Sequence, residues 1–444
     1  MRKGLLASAA LCALMVPGVA RADRLAELER LMNAQAAQLE AIRSEITALK
    51  KAQAKDKTTA KSSNEVGGYI KKFGAAPTFA SSDGTFTFKP RGRLYIDYWN
   101  SDDDKNLGDS YDATEVRTAR LGAEGTITGI KYKLEAQFGE DGHTTLTHAN
   151  LQIEAFKPFV FTLGQQKTSN SLEESSSSRH TTFMERGGLT DAFSLSSQIG
   201  VKVSHDAKQW GAAVGVFRGT FGDSNPDEET TVAGRTYLHG KITNEKGLFH
   251  LGGSFRYRDF AKSNKTVRYR QRPHSHIQDR FVDTGTLAVS DDLFFGIEGA
   301  VVVGPFSSQA EWGIQSADTK VGSNPDFHAG YVDISYFLTG ESRPYKNGGF
   351  GRPKVNNPVG KGGLGAWQVA FRTDFVDLND GGIQGGKQTT YIAGVNWHLN
   401  PWSRIMLNYA HSDIDNSNAG AAALTNASGD NQVDSYGVRT QFDF

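Results

Sequence analysis

The chain carries one cysteine, Cys12, in 444 residues. Cys12 falls inside a stretch with the marks of an export signal: Arg2 and Lys3 form a positive start, Leu5 to Met15 is apolar but too short to span a bilayer, and Ala20-Arg21-Ala22 matches the small-x-small cleavage pattern. The mature chain is therefore expected to begin at Asp23 and to contain no disulfide and no thiol chemistry. Beyond the signal there is no run of 18 apolar residues, which excludes a transmembrane helix. It does not exclude a membrane barrel, whose strands show only alternating segments of roughly ten residues. Net charge is also lacking. Loss of Arg2, Lys3 and Arg21 from 49 basic residues leaves 46 against 49 acidic, a net charge of about −3. No global attraction to nucleic acid follows, so any electrostatic function depends on where charges sit. Catalytic signatures are absent too: there is no Gly-x-Ser-x-Gly elbow and no Walker loop, and His274-Ser275-His276 has no third ligand at metal-binding spacing. A non-enzymatic protein without cofactor or metal is the expectation.

What the chain does have begins with a heptad seam. Leu25, Leu28, Met32, Gln35, Leu39, Ile42, Ile46 and Leu49 recur at spacings 3, 4, 3, 4, 3, 4, 3, with charged residues on the other faces. This predicts a coiled coil over residues 23–57, the alternative being one amphipathic helix docked on a domain. Residues 58–83 read as a polar linker.

From residue 84 the period switches to two. Leu94, Ile96 and Tyr98 alternate with Arg93, Tyr95 and Asp97; Tyr132, Leu134, Ala136 and Phe138 alternate with Lys131, Lys133, Glu135 and Gln137. The final strand alternates Tyr436, Val438, Phe442 and Phe444 with Ser435, Arg439, Gln441 and Asp443. One face is apolar and often aromatic, the other charged. Either two sheets pack on each other as a soluble sandwich, or the apolar face meets lipid and the charged face lines a wet lumen. The export signal, 49 glycines against 12 prolines and the terminal Phe444 favour the membrane barrel. Seventeen segments alternate, but single-chain bacterial barrels have an even number. Short turns and long loops alternate correctly only if residues 260–291 form one external loop containing Arg268, Arg270 and Arg272. The prediction is a 16-stranded antiparallel transmembrane β-barrel over residues 84–444, wide enough for an aqueous channel. Residues 339–364 break the pattern, being long where a short turn belongs; either they fold inward or they hide a further strand pair.

Several stretches resemble the phosphate-selective porin O and P family: Arg117-Thr118-Ala119-Arg120-Leu121-Gly122, Gly164-Gln165-Gln166-Lys167 followed by Ser171-Leu172-Glu173-Glu174, Thr182 to Arg186, Tyr336 to Pro344, and the ending Gln441-Phe442-Asp443-Phe444. The resemblance implies a trimeric outer-membrane porin with a constriction built by the third external loop, residues 167–194 here, and it points at Arg117, Arg120, Lys167, Ser169 and Ser171. This chain departs from the family pattern at two places, with Arg117-Thr118 in place of paired arginines and His148 in place of an acidic residue.

The inward alternation adds Arg93, Lys133, Arg256 and Arg258 as candidate anion-selecting residues. Arg179, Arg186, Arg268, Arg270 and Arg272 join them if their loops fold inward. Rings of Arg and Lys in a narrow lumen concentrate anions and exclude cations, and the guanidinium fork suits phosphate oxygens. Glu124, Glu135 and Asp97 share the inward face and offset part of that field. The functional expectation is a passive, anion-preferring porin for phosphate or related anions. It would work as a homotrimer in outer-membrane lipid, with its coiled coil in the periplasm and available for cell-wall contact, and with no nucleic-acid partner. The alternatives are a non-selective porin and a barrel-anchored tether that works through the coiled coil.

Overall fold

The computed structural model describes residues 29–34, 36–48, 68–72, 74–104, 111–139, 143–222, 229–242, 247–260, 265–415 and 430–444. The signal segment and part of the proposed linker lie outside them. The chain divides into two units, Met1–Gly67 and Gly68–Phe444. In the first, residues 29–34 and 36–48 of the heptad block are helical, and Leu31, Met32, Leu39, Ile42 and Ile46 are exposed. These two helical stretches are what the described residues of this unit contain.

In the second unit, sixteen strands form a closed antiparallel barrel. They are β1 (Phe86–Asp103), β2 (Tyr111–Ile127), β3 (Ile130–Phe138), β4 (Thr144–Ile153), β5 (Val160–Lys167), β6 (Ser197–Asp206), β7 (Trp210–Phe217) and β8 (Thr230–Ile242). The second half consists of β9 (Gly247–Asp259), β10 (Leu287–Val303), β11 (Phe306–Thr319), β12 (Asp326–Phe337), β13 (Ala366–Asp380), β14 (Ile383–Asn400), β15 (Ser403–Asp415) and β16 (Asn431–Asp443). Each pairs with the next, and β16 returns to β1 from Asp443↔Arg93 to Val433↔Asp103, which leaves the wall without an open edge. Phe444 completes the seam by exchanging two backbone hydrogen bonds with Gly92, at 3.0 and 3.2 Å. Residues 68–72 and 78–81, inside the stretch read as a linker, pair as a small hairpin that extends onto the start of β1. Their alternation is too short to have stood out against the surrounding Lys, Ser and Gly.

The alternation decides between the two architectures. On β1, Arg91, Arg93, Tyr95, Asp97 and Trp99 are buried, while Leu94, Ile96 and Tyr98 are exposed. A soluble sandwich would have the opposite arrangement. Apolar residues outside and charged residues inside are what a lipid-embedded barrel requires.

The lumen is not empty. Loop 3 (168–196) enters it with two short helices, α1 (Leu172–Ser175) and α2 (Gly188–Ala192). Loop 5, described at residue 260 and over 265–286, also turns inward there, and Arg268 to Arg272 lie in it rather than in the wall, apart from short pairings such as Arg270–Gln271 with Val282–Asp283. Phe260, Tyr269, Phe281 and Val282 of loop 5 pack with Leu189, Phe193 and Leu195 of loop 3 against Phe294, Phe327 and Val376 of the wall. Residues 338–365 add no strands to the barrel. They carry a minimal hairpin, Tyr345–Lys346 with Gly349–Phe350, and fold inward from the opposite end. Phe350 packs on Leu172, Ala300 and Val302, and its backbone N–H donates to Ser176 Oγ of loop 3 at 3.0 Å.

Candidate functional site: a basic conduit beside loop 3

Loop 3 is held by wall side chains that satisfy its backbone. Ser169 and Ser171, at φ 66° and 62°, occupy the left-handed region at its entrance, a conformation that only surrounding contacts maintain. Ser171 Oγ caps α1 by accepting the Glu174 N–H at 3.1 Å. The Glu311 carboxylate accepts the Leu172 and Glu173 N–H groups at 2.8 and 2.7 Å, and Asp374 accepts the Gly188 N–H at 2.8 Å. Arg372, fully buried, bonds Glu173 and Asp333, both at 2.7 Å. Glu185 is gripped by Arg117 at 2.9 and 2.8 Å and by Arg439 at 2.8 Å. Burial works against the Glu185 carboxylate, but these two guanidiniums outweigh it and hold its pKa well below the usual carboxylate range.

Between loop 3 and strands β1–β6 runs a cavity of about 740 Å³. It is lined by Arg93, Arg117, Arg120, Lys133, Lys167, Arg179, Arg186, Arg272, Arg280 and Arg439, against only Glu174, Glu185 and Asp191 as carboxylates. A second cavity of about 260 Å³ shares Lys133, His148, Lys167 and Ser175 with it and adds Ser169, Lys202 and Arg235 together with one carboxylate, Asp206. The two form one basic passage along one side of the lumen, beside the apolar body of loops 3 and 5.

Many of these cations have carboxylate partners. Arg93 bonds Glu135 at 2.9 and 3.0 Å and Ser178 Oγ at 2.7 Å; Arg120 bonds Gln137 at 2.5 Å and reaches Glu135 at 3.4 Å. Lys167 and Arg186 both lie 3.3 Å from Glu174. Lys133 and Lys202 differ. Among the described residues neither makes a salt bridge, and Lys202 donates only to Lys167 O and Ser169 Oγ, both at 3.0 Å.

Of the residues proposed from the sequence, Arg93, Arg117, Arg120, Lys133, Lys167, Ser169, Arg179, Arg186 and Arg272 lie on this passage, and five do not. Ser171 is a helix cap. Arg256 faces inward but donates to Phe193 O and Ser194 O at 2.8 and 3.0 Å, so it holds loop 3. Arg258 is spent on Asp292 and Arg268 on Asp283. Arg270 is exposed on loop 5. The sequence reading missed Lys202, which sits between Val201 and Val203 on β6, where the same period-two rule turns it inward. It also missed Arg280, for which no periodicity was available.

A family model described as phosphate-selective porin O and P matches residues 88–444. The chain is 33% identical over 389 residues to an uncharacterized protein of Caulobacter vibrioides, covering 83% of this chain and 76% of that one. It is 27% identical over 411 residues to Porin O of Pseudomonas aeruginosa, covering 82% and 90%. Among solved structures, a loop-deletion form of OmpT, an outer membrane protein of Vibrio cholerae, aligns with a TM-score of 0.53 at 15% identity, over 81% of this chain and all of that one. A trimer form of in-vitro folded OmpT gives a TM-score of 0.53 at 13% identity, over 81% of this chain and 100% of the other.

Proposed function

The chain belongs to the phosphate-selective porin O and P family of outer-membrane channels, and from that premise we propose that it is a passive porin selective for phosphate-like anions. The observation that carries the reading is the composition of the passage, with ten Arg and Lys side chains against three carboxylates in the larger cavity. A confined, low-dielectric lumen focuses such an excess and raises the local anion concentration. The work divides among the residues. Arg93, Arg117 and Arg120 are oriented by carboxylates and present fixed guanidinium edges. Lys133 and Lys202 supply ammonium groups that no carboxylate bridges among the described residues. Ser169, Ser175 and Ser178 provide hydroxyls to an oxyanion. Moderate sites in series suit permeation better than one deep trap, because an ion must also leave. Reversal potentials in a KCl gradient across a planar bilayer test this. Anion preference, with block by millimolar phosphate, is expected; anion preference without block reduces the reading to a general anion filter, and cation preference rejects it.

The working unit is proposed to be a homotrimer whose N-terminal helices associate through the heptad seam. Exposure of the seam residues Met32, Leu39, Ile42 and Ile46 supports this, because those side chains need a partner surface. Light scattering in detergent is expected to give three copies for the mature chain. Deleting residues 23–57 is expected to lower the temperature at which the trimer dissociates; an unchanged dissociation temperature removes the helix from the assembly.

A further inference from the structure

The smaller cavity of the passage reaches the strand ends away from loop 3. Gln152 comes from the end of β4, Thr162 from the start of β5, and Ser204 and Asp206 from the end of β6. Its lining also includes Asn347, which no wall strand supplies. Asn347 and Gly348 are the two-residue turn of the hairpin that pairs Tyr345–Lys346 with Gly349–Phe350. Both have positive φ, 49° and 71°, the tight hairpin turn that the sequence Asn-Gly favours. Asn347 is exposed, so its carboxamide stands in the passage, whereas Gly348 is buried.

The turn is fastened on several sides. Arg235 of β8 donates Nη2 to Gly348 O at 2.7 Å and Nε to Glu298 of β10 at 2.8 Å. The Arg235 guanidinium lies over the Tyr237 ring, 5.1 Å from its centroid. The same ring packs on Gly348, where a Cβ would come within 2.5 Å of a ring carbon, so only glycine lets the turn seat there. At the base of the hairpin, His250 of β9 donates Nε2–H to Glu298 at 2.9 Å. With that proton on Nε2, the neutral ring accepts the Tyr345 hydroxyl at Nδ1, at 2.6 Å. On the far side Phe350 is tied to Ser176 of loop 3, and the Arg343 guanidinium lies 3.7 Å over its ring. Arg235 lines the cavity, but with Nε and Nη2 both committed it is a positioning residue for the turn.

We infer that Asn347 is the sizing residue of the passage: its side chain forms the lip that sets the largest solute able to leave the smaller cavity. The inference rests on the passage as the permeation route and not on the sign of its selectivity. Pore cross-section and the groups that line it decide what passes. A lip sorts by size only if it does not yield, and ties to β8, β9, β10 and loop 3 hold this one. The carboxamide is uncharged, so it narrows the opening without adding an attraction that would slow the release of an anion. Inorganic phosphate passes such a lip where a phosphate ester carrying a sugar is turned back.

Asn347→Cys in a Cys12→Ser background gives a chain whose single thiol lies on the lip. Neutral methyl and benzyl methanethiosulfonates then add groups of increasing size without adding charge. Single-channel conductance in KCl is expected to fall by about half or more with the benzyl group and by less with the methyl group. The same labels on Lys361→Cys, exposed in the same inward segment but lining neither cavity, should leave conductance unchanged. Full labelling of Asn347→Cys without a fall in conductance overturns the inference, as does failure of that thiol to label or an equal fall from Lys361→Cys. If the cysteine variant does not fold, Asn347→Gly keeps the positive-φ turn and trims the lip. Its permeability to glucose 6-phosphate relative to inorganic phosphate is expected to rise several-fold, and an unchanged ratio overturns the inference. Neutral labels leave the KCl reversal potential in place, so a cation-preferring channel would reject the selectivity reading and leave the lip standing.

Discussion

Replacing Lys133 and Lys202 together with glutamate is expected to invert the selectivity of the channel. Both ammonium groups lie on the passage, and among the described residues neither is bridged to a carboxylate, so their charge is left more open to a permeating ion than that of the paired arginines. At an effective dielectric constant near 20 and a separation of roughly 7 Å, one unit charge is worth about 2 kcal/mol to a passing ion. The double substitution changes the local charge by four units, so the anion-to-cation permeability ratio should move by at least about tenfold and cross unity. Reversal potentials at low and high salt provide the measurement, with the effect weakening as screening shortens. Arg270→Glu is the matched control: it changes charge on an exposed part of loop 5 and should leave the ratio where it was. A double variant that stays anion-selective would remove these lysines from the filter.

The second large effect is expected at Arg372. Its guanidinium is wholly buried, bonds Glu173 of loop 3 and Asp333 of β12, and lies over the rings of Tyr331 and Phe183 at 4.0 and 4.7 Å. Arg372→Met leaves two buried carboxylates without their shared cation, a loss in the range of about 3 to 5 kcal/mol. Urea unfolding of the detergent-folded barrel should show that drop. Single-channel conductance should rise, because α1 loses one of its ties and loop 3 is held less firmly across the bore. Adding Asp333→Leu removes one stranded charge, so stability should partly return while the conductance stays high. If Arg372→Met unfolds like the unmodified protein, the cluster does not bear on the loop.

The wall of this barrel was largely readable in the amino-acid sequence, because lipid outside and water inside impose a strict period of two. That period placed Arg93, Asp97, Lys133 and Arg439 on the inner face. The alternation of short turns and long loops removed Arg268 to Arg272 from the wall. Periodicity gives the facing of a side chain but not its partner. Arg256 and Arg258 point inward as expected, yet one holds loop carbonyls and the other is absorbed by Asp292. Arg439 finds Asp97 only because β16 closes on β1, a contact between residues 342 positions apart. The inward folding of 339–364 stayed undecided in the sequence, since its cause is a distant one: a pocket made by Leu172, Ala300 and Val302 that exists only once the barrel is formed.

The contact between Phe350 and Ser176 has a consequence best put in the language of valves. A flap hinged at one rim of a pipe yields to flow from one side and seats against flow from the other, so it acts as a check valve. Here the obstruction is two arms reaching in from opposite rims and meeting in the bore, each blocking the recoil of the other. Pressure from either compartment loads the same joint in opposite senses. The passage beside it is therefore a fixed orifice, and the direction of traffic belongs to the solute gradient alone.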